Sequence, residues 1–176
     1  MKRELSIKLT QAFLLVIIAL ISGCSNAKSD DGYTAGDLRA VNHVEGQGIN
    51  GFSVNGYHVP GLGGGYCCIM LPEKWTSELK ARVEWEVDPN PGETIPMKKK
   101  GFGYEDEAYA RHASNYQQRY TIVDIPAYGK ERCGLTVHFL PCNQVKVTTV
   151  CSGYGTENYP IKEPLNMKEP ASCPMK

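Results

Sequence analysis

Short segments in which apolar and polar residues alternate dominate the chain from residue 38 onwards. In the clearest one, residues 79–87, the positions between the charged residues are apolar: Ala81, Val83, Trp85 and Val87. A period of two indicates a β-strand with one buried face and one face in water. Similar runs predict strands over residues 38–44, 50–54, 57–59, 66–71, 120–125, 135–140 and 145–151, and Asn55-Gly56 predicts a hairpin turn.

These segments and the turns between them predict a mainly β fold. We expect a compact β-sandwich-like domain, or a β-rich α+β domain, of about seven short strands. Two segments differ in character. Residues 93–118 form a charged insertion, in which residues 108–118 can hold a short helix, and residues 160–176 form an irregular, proline-rich tail that Cys173 can tie down.

The two strands over residues 135–151 allow a prediction of register. A three-residue turn at 141–143 sets Phe139 opposite Val145 and Val137 opposite Val147, whereas a slip of one residue sets Phe139 against a lysine. In the favoured register Cys133 falls opposite Cys151. Since opposed Cβ atoms in a sheet lie near disulfide reach, the register predicts a Cys133–Cys151 disulfide.

The N-terminus carries an export signal. A basic start is followed by ten apolar residues, 12–21, which is too short for a membrane-spanning helix of about 20 residues. Ser22-Gly23-Cys24 then resembles the lipobox of bacterial lipoproteins. We therefore expect residues 1–23 to be a signal peptide, Cys24 to be acylated, residues 24–36 to be a tether, and residues 37–176 to be one β-rich binding domain. Ser25 favours the outer membrane.

Composition limits the function further. With 19 basic and 19 acidic residues, the chain gives no reason to expect nucleic acid as a partner. Of the seven cysteines, six remain once Cys24 is acylated, and an even number in an exported chain indicates disulfides. Metal binding is the rival interpretation, but the chain has no Cys-x-x-Cys pair. The sequence predicts no metal and no cofactor.

The sequence offers no catalytic motif. Neither a Gly-x-Ser-x-Gly elbow nor a His-Glu-x-x-His motif is present. Cys142 lies four residues after His138 and is a candidate nucleophile, but alternation places His138 on the polar face of its strand, and a disulfide is the expected fate of Cys142. We therefore expect a binding protein rather than an enzyme.

Several blocks occur in an order that resembles a known family: Val41-Asn42-His43, Phe52-Ser53-Val54-Asn55-Gly56, Cys67-Cys68-Ile69-Met70-Leu71-Pro72, Trp75, Val83-Glu84-Trp85 and Leu135-Thr136-Val137-His138-Phe139-Leu140-Pro141. The chain resembles proteobacterial lipoproteins found as partners of type VI secretion lipase effectors. The resemblance implies an immunity protein at the outer membrane, facing the periplasm, that binds a phospholipase effector of the α/β-hydrolase class and blocks its active site.

The partner-binding residues are predicted from composition and placement in the charged insertion. They are Tyr104, Glu105, Asp106, Glu107, Tyr109, Arg111 and Tyr116. Two alternatives of other classes stay open at this point. One is a structural or assembly lipoprotein of the cell envelope, and the other is a lipoprotein that binds a lipid or small molecule in an apolar cavity.

Overall fold

Two four-stranded sheets make up most of the protein. The computed structural model describes residues 32–62 and 64–174, and these residues form one compact unit. The predictions for the signal peptide and Cys24 lie outside the described residues. The strands are β1 Tyr33–Asn42, β2 Gly48–Val54, β3 Tyr57–Val59, β4 Tyr66–Pro72, β5 Lys80–Asp88, β6 Gln117–Asp124, β7 Gly134–Leu140 and β8 Gln144–Thr148; helix α1 Asp106–Ala113 lies between β5 and β6. The predicted mainly β fold is confirmed.

The first sheet has the order β4-β1-β7-β8, and the second has the order β3-β2-β5-β6. In the first sheet β1 runs parallel to β7 and antiparallel to β4. All pairs in the second sheet are antiparallel. Because β5 and β6 are antiparallel neighbours, the long connection between them begins and ends at the same end of the second sheet.

The core lies between the two sheets. The alternation predicted for β5 is confirmed, since Ala81, Val83, Trp85 and Val87 are all buried. Phe139 of β7 meets the rings of both Phe52 and Trp85 from the other sheet, with ring centroids 5.7 and 5.3 Å apart. These three aromatic rings fill the space between the sheets and join them.

The predicted β7–β8 register is confirmed. Phe139 pairs with Val145 and Val137 with Val147 across the turn at Pro141–Asn143. Cys133 and Cys151 are bonded as predicted, with Cα atoms 4.9 Å apart. Two further bonds join Cys142 to Cys173 and Cys67 to its neighbour Cys68. Hydrophobic pairing across the hairpin is sufficient to fix this register, because a one-residue slip would set Phe139 against Lys146 and end the apolar pairing on the core face.

Three predicted boundaries are wrong. β1 begins at Tyr33, so residues 33–36 of the expected tether belong to the first sheet, where Tyr33 pairs with Pro72. Their side chains are small or polar, and backbone pairing with β4 places them in the sheet. α1 ends at Ala113, and residues 117–118, assigned to the helical region, begin β6. β8 ends at Thr148, short of Cys151.

The outer faces of the two sheets differ. The C-terminal tail and Tyr159, which directly precedes it, cover the first sheet: Tyr159 and Ile161 are buried, and Met167 forms a bridge with Val44. The tail is irregular, as predicted, but it is packed against the domain. The outer face of the second sheet stays open to solvent, where Tyr120 and Ile122 are more than half exposed.

Candidate functional site

The connecting segment, residues 89–116, carries the features that best suit recognition of a partner. Its first half folds into a small hairpin. The Glu105 N–H donates to the Pro96 carbonyl at 2.8 Å, the Lys98 N–H donates to the Gly103 carbonyl at 3.0 Å, and Met97 and Tyr104 form a bridge between them. The tip, residues 99–102, therefore projects from a hydrogen-bonded base.

Apolar side chains are exposed along this hairpin. Phe102 at the tip is 99% exposed and Met97 is 62% exposed. Tyr104 stacks on Tyr109 of α1, with nearly parallel rings whose centroids lie 6.1 Å apart, and both rings are almost half exposed. An exposed apolar patch held on a fixed frame is typical of a contact surface for another molecule.

His112 fastens α1 to the end of β5. Its Nδ1 lies 2.8 Å from a Glu93 carboxylate oxygen, and its Nε2 lies 3.0 Å from an Asp88 carboxylate oxygen. His112 and Asp88 are both buried. The hydrogen bond to Glu93, and then the interactions with Asp88, raise the pKa of His112. The contacts of the imidazole with two carboxylates hold the helix, and through it the hairpin, in place.

Tyr116 links the connecting segment to the second sheet. Burial is the main cause that raises its pKa to about 12, and the hydroxyl of Tyr109 adds to the effect, while the side chain of Asn50 opposes it. The Tyr116 ring packs edge-on against His112, with centroids 5.4 Å apart. Tyr116 thus joins α1 to β2.

Six of the seven predicted partner-binding residues are exposed on one segment: Tyr104, Glu105, Asp106, Glu107, Tyr109 and Arg111. Asp106 pairs with Lys98 at 2.6 Å, so it also braces the hairpin. The acidic residues lie at the start of α1, where negative charge stabilises the helix. Tyr116 differs from the prediction, because it is half-buried and supports the segment from beneath.

Phe102 is the feature that the sequence prediction missed. Its two neighbours, Gly101 and Gly103, have φ angles of +89° and +95°, which side-chain-bearing residues rarely adopt. In the sequence, the signal for such an exposed tip is Gly101-Phe102-Gly103, which lies between three lysines and three acidic residues.

A pocket of about 290 Å³ lies on the open sheet face beside the segment. Asn50 is the extra residue of a β-bulge in β2, and its amide donates to Glu86 at 3.0 Å. Arg82 binds Glu84 at 2.8 Å and lowers the pKa of that carboxyl group. The carboxylates and neutral polar groups of this pocket can accept hydrogen bonds from a partner's side chains.

A second cluster of titratable groups is buried under the tail. His43 Nε2 lies 2.8 Å from His138 Nδ1, and His138 Nε2 lies 2.7 Å from the Tyr159 hydroxyl. Burial, together with the neighbouring His43, lowers the pKa of His138 to about 4. His138 was expected on the polar face of its strand. That face is the outer face of the first sheet, but the tail covers it, and His138 is fully buried. This chain of hydrogen bonds holds the tail to the sheet.

The predicted fate of Cys142 is a disulfide, and the structure pairs it with Cys173. In the described part of the chain, the cluster of potential metal ligands is Cys142, Glu169 and Cys173. Because these two cysteines are bonded to each other, neither offers a thiolate, and the group does not fit a metal ion. The bond serves instead to attach the tail to the β7–β8 turn.

The comparisons with known proteins give a family. No curated protein and no solved structure matches the chain. Among the described residues, no helix is both long enough and apolar enough to cross a membrane. A family model matches residues 41–147, which is more than half of the chain and includes the whole connecting segment. The chain therefore belongs to the family described as "Protein of unknown function (DUF3304)".

Proposed function

We propose that this protein is an immunity lipoprotein. Anchored in the outer membrane through Cys24 and facing the periplasm, it binds a phospholipase effector of type VI secretion and blocks its active site. The observation that carries the proposal is the braced hairpin of the connecting segment, which presents Phe102, Tyr104 and Tyr109 to solvent. The class of partner comes from the sequence resemblance to lipoproteins paired with lipase effectors.

The fixed shape of the segment supports a binding role. Binding with high affinity is favoured when little conformational freedom is lost, and His112 holds α1 in place before any partner arrives. Aromatic residues near the centre of an interface supply most of its binding energy. The stacked Tyr104 and Tyr109, surrounded by charges of both signs, have the composition of such a centre with a polar rim.

The interior of the domain bears on the alternative function of a lipoprotein that binds a lipid or small molecule. A carrier for a lipid or small molecule needs an apolar cavity, and between the two sheets the rings of Phe52, Trp85 and Phe139 occupy the space. The pocket beside Glu86 is open to solvent, and its lining includes the carboxylates of Glu84 and Glu86 and the amides of Asn50 and Gln118. A protein partner suits this combination better than an acyl chain does.

An inhibition titration tests the proposal. Residues 25–176 are purified and added to a candidate phospholipase effector of the α/β-hydrolase class, and lipid hydrolysis is measured. We expect complete inhibition at about one molecule per lipase, with no turnover of lipid or lipase by the domain. Hydrolysis by the domain alone would make it an enzyme, and an unaffected lipase at excess inhibitor would contradict the proposed function.

A matched pair of variants locates the surface. Changing Glu105, Asp106 and Glu107 to lysine is expected to slow association with the lipase, because charge complementarity mainly sets the association rate. The control carries the same three charge reversals at exposed acids elsewhere, Glu73, Glu78 and Glu131. If both variants associate at the same rate, the connecting segment is not the contact surface.

A further inference from the structure

Phe102 differs from an ordinary exposed apolar residue. Single exposed apolar side chains are common on proteins. Phe102, however, is 99% exposed at the end of a hairpin whose base is closed by backbone hydrogen bonds and by the Lys98–Asp106 ion pair. The side chain is therefore displayed by a rigid support, which lowers the cost of inserting it into another molecule.

The surroundings of Phe102 define the shape of what can receive it. Neither flanking residue, Gly101 nor Gly103, has a side chain, and a Cβ built on either would meet no atom within 4 Å. Neither immediate neighbour therefore shields the phenyl ring, which stands exposed at the tip beside Lys99 and Lys100. Such a convex apolar tip buries its surface only in a concave apolar groove, because a flat surface would contact one side of the ring.

The charges near the tip argue for a protein groove rather than a lipid surface. Lys98, Lys99 and Lys100 are balanced by Glu105, Asp106 and Glu107 within ten residues of chain. Attraction to an anionic bilayer grows with the number of basic residues near the surface and falls off within about 10 Å. The net charge of residues 98–107 is zero, which gives little such attraction, whereas charges of both signs suit the rim of a protein interface.

We propose that Phe102 occupies the acyl-chain groove of the phospholipase. This inference rests on the proposed function and names the part of the lipase that the tip fills. A phospholipase must bind the hydrocarbon chain of its substrate, so its active site includes an elongated apolar groove. A phenyl ring on a narrow hairpin enters such a groove and takes the place of hydrocarbon, while Tyr104 and Tyr109 cover the entrance.

Substitutions at the tip test the inference. Phe102→Ala is expected to weaken binding to the lipase about 30-fold, which corresponds to about 2 kcal/mol. Phe102→Leu keeps an apolar side chain and should lose much less. Leu165→Ala is the control, because Leu165 is also an exposed apolar residue but lies in the C-terminal tail. Circular dichroism of each variant checks that the fold is unchanged.

Competition identifies the groove. The catalytic serine of the lipase is phosphonylated with either a hexadecyl or a methyl phosphonate, and binding of residues 25–176 is measured. The hexadecyl group fills the acyl-chain groove, so we expect it to abolish the contribution of Phe102, leaving wild type and Phe102→Ala with equal affinity. The methyl derivative leaves the groove empty and should preserve the 30-fold difference.

The outcomes separate this inference from the proposed function. If wild type fails to inhibit the lipase, the proposed function and this inference both fall. If wild type inhibits and Phe102→Ala inhibits equally well, or if the hexadecyl group leaves the difference intact, the inference alone is wrong. Binding to vesicles of phosphatidylethanolamine and phosphatidylglycerol that requires Phe102, with lipase binding that does not, would make the tip a membrane contact and overturn it.

Discussion

Acidification from pH 7 to pH 5 is expected to destabilise the fold through His138. In the folded protein His138 lies between His43 and Tyr159 under the tail, and burial is the main cause that lowers its pKa to about 4. Glu163 opposes this shift, and Lys146 adds to it. The unfolded chain titrates near the ordinary value of about 6.5. Protons therefore bind the unfolded state first as the pH falls.

The size of the effect follows from the two pKa values. Stability linked to His138 is fully present above a pH of about 6.5, declines as the pH falls, and is lost below about 4. Integrated down to pH 5, the loss amounts to about 2 kcal/mol, and the complete loss is about 3 kcal/mol. A domain with a total stability of about 5–15 kcal/mol would show either change clearly.

Urea unfolding followed by the fluorescence of buried Trp85 measures this loss. The midpoint is recorded at several pH values between 7 and 5 for wild type, His138→Gln and His58→Gln. His138→Gln has no titrating ring and should show a flatter dependence on pH, whereas exposed His58 should leave the wild-type slope unchanged. Parallel curves for wild type and His138→Gln would refute the assignment of the acid sensitivity to His138.

Three further changes probe other parts of the chain. Cys24→Ser should leave the precursor unacylated, and labelling with a palmitate analogue that persists in the variant would contradict the lipid anchor. Replacing Cys133 and Cys151 by alanine should lower stability by about 3 kcal/mol, read from urea midpoints under non-reducing conditions. His112→Gln should speed amide exchange in α1. The raised pKa of His112 contributes stability that is fully present below about pH 6.5 and is lost as the pH rises through the folded-state pKa. The difference in exchange between wild type and His112→Gln should therefore shrink at high pH.

The parts of the fold that could be predicted depend on local patterns. Alternation identified the buried face of β5, and apolar pairing fixed the β7–β8 register and the Cys133–Cys151 bond. The start of β1 could not be predicted, because residues 33–36 are held by backbone pairing with β4 rather than by apolar side chains. Such pairing depends on a strand more than thirty residues away and leaves no periodic pattern.

The residues of the candidate site could be predicted only in part, because their exposure also depends on contacts with distant parts of the chain. Charge and aromatic content marked the segment that holds Tyr104 and Tyr109, but exposure depends on packing that composition does not encode. Tyr116 and His112 belong to the same segment, yet they face inward because Asn50 and Asp88 lie beneath them. His138 was expected to face water. It is covered by residues that begin about twenty positions later in the chain, and the local pattern around His138 does not encode that contact.

The tail and the first half of β1 show that the smallest foldable unit is longer than the family match. The match ends at residue 147 and begins at residue 41. A fragment cut at those limits would lose most of β1, which pairs with both β4 and β7. It would also lose the C-terminal tail, which shields His43 and His138 from water. Two buried imidazoles and a central strand position would then be open, so in this chain the folded unit extends beyond both ends of the matched region.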